Sequence, residues 1–86
     1  MHYVIEWTPT FKRGYKQLSE QYKARVREAL DEMVDAKDPR ALGIKKRGPL
    51  AELYAYEVGQ QVRILYSVSD NVISLLRVGP HAEVYR

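Results

Sequence analysis

The spacing of apolar residues changes once along the chain, from a helical period to an alternating one, and the change falls near Leu53. Before it, His2 to Trp7 supplies Tyr3, Val4, Ile5 and Trp7, β-branched and aromatic residues suited to an opening strand. Thr8-Pro9 closes that strand and starts a helix. The threonine hydroxyl serves as N-cap, and the proline takes the first helical position, where a missing N–H costs nothing. Phe11, Tyr15 and Leu18 follow at i, i+4 and i+7, which predicts one helical face ending about Ser19, with Gly14 weakening it slightly.

Ser19 is a second N-cap candidate. Tyr22, Val26, Ala29, Leu30, Met33 and Val34 form the apolar stripe of the next helix, and Asp38-Pro39 ends it. Its other face mixes favourable and unfavourable i+4 pairs, such as Arg27 with Asp31 and Glu28 with Glu32, as a solvated face does. Two helices with almost no linker predict a helical hairpin. Arg40 to Leu50, holding Gly43, Gly48 and Pro49 around Lys45-Lys46-Arg47, is expected to be a basic loop.

From Leu53 the period is 2. Leu53 to Val58, Val62 to Val68 and Val72 to Val78 predict three strands, turning at Gly59-Gln60 and at Ser69-Asp70-Asn71. Short links make antiparallel neighbours. The predicted order is β-α-α-β-β-β, an α+β domain over residues 1–86 with an antiparallel sheet and the helical hairpin on one face. Alternation groups Val62, Ile64, Tyr66 and Val68 on one side, and Val72, Ser74, Leu76 and Val78 likewise. If those sets meet the helices, Arg63 and Arg77 project together from the uncovered face.

Composition narrows the chemistry. With 86 residues, 45% hydrophobic and 29% charged, the chain makes one small packed domain. The absence of cysteine excludes disulfides, thiolate zinc sites and a cysteine nucleophile. Two histidines 79 residues apart, without carboxylates at ligand spacing, make a poor metal site, and no glycine-rich nucleotide loop is present. The amino-terminal apolar run of three residues is far short of the roughly 20 that span a bilayer, so a cytoplasmic protein is expected.

Charge is uneven. Residues 1–38 balance at seven basic and seven acidic, while residues 39–86 hold seven basic against four acidic and carry the whole net +3. A polyanion would meet the second half first.

Val62-Arg63-Ile64-Leu65-Tyr66, a turn with an acidic residue, Leu76-Arg77-Val78-Gly79 and Glu83-Val84-Tyr85 together resemble the signature of the RelE/ParE toxin superfamily. Lys46-Arg47-Gly48 followed by Leu53-Tyr54 matches the stretch before that family's second strand. The resemblance spans the chain in element order and length. It implies the toxin of a type II toxin–antitoxin pair, with no cofactor and a cognate antitoxin as partner. For the RelE-like branch it implies an endoribonuclease that cuts mRNA in the ribosomal A site.

That reaction needs a base for the ribose 2′-hydroxyl, an acid for the departing oxygen and fixed positive charge on the phosphorane. The resemblance places Arg63 at the catalytic mid-strand arginine and Tyr85 at the C-terminal catalytic tyrosine. Gly79-Pro80-His81-Ala82 departs from the pattern by setting His81 about where an arginine is expected. Histidine is the better proton-transfer group at neutral pH, so His81 is expected to act as general acid or base, with Arg77 replacing the lost charge. A second departure puts Tyr54 and Tyr56 at the positions of two lysines spaced by one, where they would stack on unpaired bases. Lys45, Lys46 and Arg47 would bind the RNA backbone. The alternatives are a ParE-like inhibitor of DNA gyrase without an active site, or a non-toxic nucleic-acid-binding relative.

Overall fold

A single hydroxyl joins the first strand, the first helix and the last strand. Thr8 Oγ1 accepts the Phe11 N–H at 3.3 Å as N-cap and donates to the Leu75 carbonyl at 2.7 Å. The computed structural model in which this is seen describes residues 3–46 and 53–80. Its elements are β1 (Val4–Trp7), α1 (Pro9–Lys16), α2 (Glu20–Asp35), a 3₁₀ turn (Pro39–Leu42), β2 (Ile44–Lys46), β3 (Leu53–Val58), β4 (Val62–Ser69) and β5 (Val72–Pro80). The fold is α+β, with both helices packed against one face of a five-stranded sheet. Both expected caps are in place, since Ser19 Oγ accepts the Tyr22 N–H at 3.3 Å and opens α2.

Two features of the strand arrangement depart from the sequence expectation. The sheet order is β1-β5-β4-β3-β2, and β1 lies parallel to β5 while every other pair is antiparallel, so the sheet is mixed. Parallel neighbours need a long crossover, and everything between β1 and β5 serves as one. The second departure is β2, an edge strand inside the expected loop, with Ile44 opposite Ala55 and Lys46 opposite Leu53. One apolar residue among lysines carries little strand signal, although lysine is a common guard on sheet edges.

The core lies between helices and sheet. Phe11, Val26, Met33, Ile64, Tyr66, Ile73 and Leu75 are fully buried, each large apolar side chain contributing about 1.5–3 kcal/mol. Trp7 meets Phe11 and Tyr15 edge-on at centroid separations of 5.0 and 5.2 Å, closing the end nearest β1. Gly14 has a packing reason to interrupt a helix, because a Cβ there would run into the Val78 carbonyl on β5. Its cost in helix propensity, about 1 kcal/mol relative to alanine, permits the close approach of α1 to the sheet. Under the 3₁₀ turn, Tyr66 donates its hydroxyl to the Pro39 carbonyl at 2.7 Å. Burial first, then the electrostatic influence of Tyr54, Tyr56 and Asp38, pushes the Tyr66 phenol up to about 12.

The face assignment of the last strand requires correction. Ile73 and Leu75 are fully buried against the helices, whereas Val72, Ser74 and Leu76 are only partly covered. The cause is a bulge: Leu65 pairs with Arg77 but Tyr66 pairs with Leu75, leaving Leu76 as an extra residue on β5. The bulge reverses the alternation, so that Val78 again joins Ile64 in the core while Arg77 turns outward.

Candidate active site

The face of the sheet opposite the helices is built from cross-strand rows. One row is Glu57, Arg63 and Gly79 on β3, β4 and β5. The next is Ile44, Ala55, Leu65 and Arg77, running from β2 to β5. Arg63 and Arg77 are therefore diagonal neighbours on the open face, as the sequence suggested, but the bulge at Leu76 puts them there and not simple alternation.

Arg63 occupies the middle strand of the five. Its Nη2 lies 2.7 Å from Glu57 Oε1, a charge-assisted contact, and its side chain is 23% exposed against 49% for the glutamate. The arginine is thus the more covered member of the pair and the glutamate the more exposed one. Arg77 is exposed and forms no ion pair among the described residues. Toward β1, Ser74 donates to Glu6 Oε1 at 3.4 Å.

Tyr54 and Tyr56 do not belong to this face. Tyr54 pairs with Tyr66 in register and is only 5% exposed, its ring 5.7 Å from that of Tyr66 in the core. Tyr56 pairs with Ile64 on the helix side and donates its hydroxyl to Glu32 Oε2 on α2 at 3.1 Å. Burial, then the hydrogen bond to and the charge of Glu32, raise the Tyr56 phenol above its ordinary value. Both rings are committed to packing on helices, so the expected base stacking does not fit their positions. The β3 residues on the face opposite the helices are Leu53, Ala55 and Glu57, and of these Ala55 is covered while Glu57 is exposed, so the charged group from this strand is a carboxylate.

Lys45 is exposed and shares the helix side of the sheet edge with its register partner Tyr54, away from Arg63. Lys46 lies opposite Leu53 in β2, in a strand and not in a loop. Arg47, His81 and Tyr85 lie outside the described residues. Glu57 was missed on sequence, yet a signal existed: grouping Tyr54, Tyr56 and Val58 as the inward set of β3 leaves Leu53, Ala55 and Glu57 on the other side.

A sheet with an arginine at its centre, a helical pair behind it and a basic second half matches one family model, that of the ParE-like toxin of type II bacterial toxin–antitoxin systems, over residues 5–86. The chain belongs to the ParE-like toxin family. Among solved structures, this ParE-like toxin resembles the RelE–RelB complex of the archaeon Pyrococcus horikoshii. The two are 27% identical, with 93% of this chain and 96% of that chain covered and a TM-score of 0.75. A mutant of the Escherichia coli toxin RelE in the free state is 25% identical, with 99% and 92% covered and a TM-score of 0.79. YafQ of E. coli, only 12% identical, shares the fold over 98% and 99% of the two chains at a TM-score of 0.80. No curated protein matches the toxin's sequence. No helix among its described residues is long and apolar enough to cross a membrane.

Proposed function

We propose that this toxin is a metal-free, ribosome-dependent mRNA endoribonuclease that blocks translation. The observation that carries the reading is Arg63 at the centre of the open face with Arg77 diagonal to it. A planar guanidinium donates two parallel N–H groups to phosphate oxygens, and a second cation one row away adds charge for the phosphorane. In this reading Arg63 binds the scissile phosphate, His81 and Tyr85 complete the proton-transfer set, and Arg77 holds neighbouring phosphate. Lys46 and Arg47 guide the RNA backbone at the β2 edge, whereas Lys45, on the helix side, takes no part. The products are a 2′,3′-cyclic phosphate and a 5′-hydroxyl. A cognate antitoxin restrains the activity, as the RelB-bound archaeal relative suggests. The setting is the cytoplasm, where ribosomes and mRNA are.

Induced expression tests the reading. Growth and translation should stop, and primer extension should reveal new 5′ ends inside coding regions. Arg63→Ala should abolish both effects while circular dichroism and the thermal midpoint stay close to the wild type. Growth arrest without new RNA ends would rule out the nuclease.

A second reading, inhibition of DNA gyrase without catalysis, is favoured by one observation: Glu57 offsets part of the positive charge at Arg63, which suits a protein target better than bare RNA. Purified toxin in a gyrase supercoiling assay separates the two, because only the inhibitor blocks supercoiling.

A further inference from the structure

Glu57 stands one hydrogen bond from Arg63 on the two neighbouring strands β3 and β4. An ion pair this exposed contributes only about 0–1 kcal/mol to stability, so the fold does not depend on it. Its position is nevertheless constrained. On β3 the inward residues are consumed by packing, and Glu57 is aimed outward beside the one arginine set into the middle of the sheet. Glu6, another described carboxylate on this face, is at the β1 edge and accepts a hydrogen bond from Ser74.

Resting on the nuclease reading, we propose that Glu57 is the proton acceptor of the site. In RNA the 2′-hydroxyl and the 3′-phosphate sit on adjacent ribose carbons. A base acting on the hydroxyl must therefore stand beside the group that holds the phosphate, within hydrogen-bond reach of the 2′ oxygen. Glu57 meets that condition, and it is the more exposed member of the pair. A carboxylate is acceptor-only when ionised, so once phosphate takes over the Arg63 donors it has lone pairs for the 2′-hydroxyl proton. The step balances simply. The 2′-O–H proton passes to a carboxylate oxygen of Glu57, the 2′ oxygen bonds to phosphorus, and the bond from phosphorus to the 5′ oxygen breaks. That oxygen takes a proton from the acid, His81 in this reading, and Glu57 later releases its proton to water.

This assignment predicts opposite changes in binding and rate. Glu57→Gln keeps the shape but removes the charge and the proton-accepting oxygen. On ribosomes programmed with a single mRNA, its single-turnover cleavage should fall by about 10²-fold or more, while the mRNA–ribosome complex is bound as tightly as by wild type or more so. A substrate with sulfur in place of the 5′ bridging oxygen needs no acid for its leaving group. It should restore His81→Ala and leave Glu57→Gln slow. Cleavage by Glu57→Gln at or above the wild-type rate would make the carboxylate a latch on Arg63 or a bystander, and sulfur rescue of Glu57→Gln would make it an acid; either overturns the assignment alone. A wild type that cuts no RNA overturns the nuclease reading and the assignment with it.

Discussion

Tyr66 and Gly43 meet in a contact that leaves no room for a side chain: a Cβ on Gly43 would stand 2.5 Å from the Tyr66 hydroxyl oxygen and 3.1 Å from the Ala55 carbonyl. The same hydroxyl donates to Pro39 at 2.7 Å, so the 3₁₀ turn is held down by one tyrosine and made close enough by one glycine. Gly43→Ala should destabilise the toxin by about 1–3 kcal/mol through overpacking, and Tyr66→Phe by about 1–3 kcal/mol through the unpaired Pro39 carbonyl. The double variant should cost less than the sum, because phenylalanine removes the atom that the new methyl strikes. Urea unfolding of the four proteins measures the coupling, and strict additivity would mean that the two residues do not share the space.

Alkaline pH should expose the same tyrosine. Its folded pKa of about 12 lies above the ordinary tyrosine value of 10.0, so folding favours the neutral phenol. That contribution is complete below pH 10 and is lost as pH climbs from 10 toward 12, at up to about 1.4 kcal/mol per pH unit. Tyr66→Phe should unfold with a shallower pH dependence across this window. Equal slopes for variant and wild type would contradict the assignment.

Thr8 performs two tasks with one oxygen, capping α1 and bonding β5. Thr8→Ala should cost at least the roughly 0.5–2 kcal/mol of a lost cap, whereas Thr8→Ser, which keeps the hydroxyl, should recover most of it. Amide exchange should show the loss at both the first turn of α1 and the Leu75 region. Protection lost only in α1 would leave the β5 contact without energetic weight.

On the nuclease reading, Arg63→Lys should be a poor substitute. The charge survives but the planar fork does not, and single-turnover cleavage should drop by about 10²-fold or more with RNA binding weakened much less. A lysine variant of near-normal rate would show that simple charge at this position suffices.

The parts of this fold that rest on local chemistry were legible in the sequence. Thr8, Pro9 and Ser19 start helices where capping rules put them, and the Asp70-Asn71 turn has its positive φ at Asp70, a residue type that tolerates it. What depended on partners was not. β2 exists because β3 offers it an edge, and the parallel β1–β5 pair joins the two ends of the sequence, which no window of alternation reaches. The bulge at Leu76 left a faint trace in Leu75-Leu76, two adjacent apolar residues where the alternation slips. Arg63 and Arg77 were located together for a partly mistaken reason. Tyr54 and Tyr56 were misplaced because matching them to a pattern overrode the alternation that sends them toward the helices.

The pairing of the first strand with the last sets a timetable for synthesis. Glu6 and its β5 neighbour Ser74 are 68 residues apart, and the start of α1 is also tied to β5 through Thr8 and Leu75. At about 5–20 residues per second, roughly 3–14 seconds separate the making of β1 from that of its partner. Until then β1 has no strand to join, and the open face that holds Arg63 has no β5 on its flank. A translating ribosome therefore exposes this toxin as an incomplete sheet until β5 (Val72–Pro80) has been made, and a message cut short upstream of residue 72 yields a product that cannot close it.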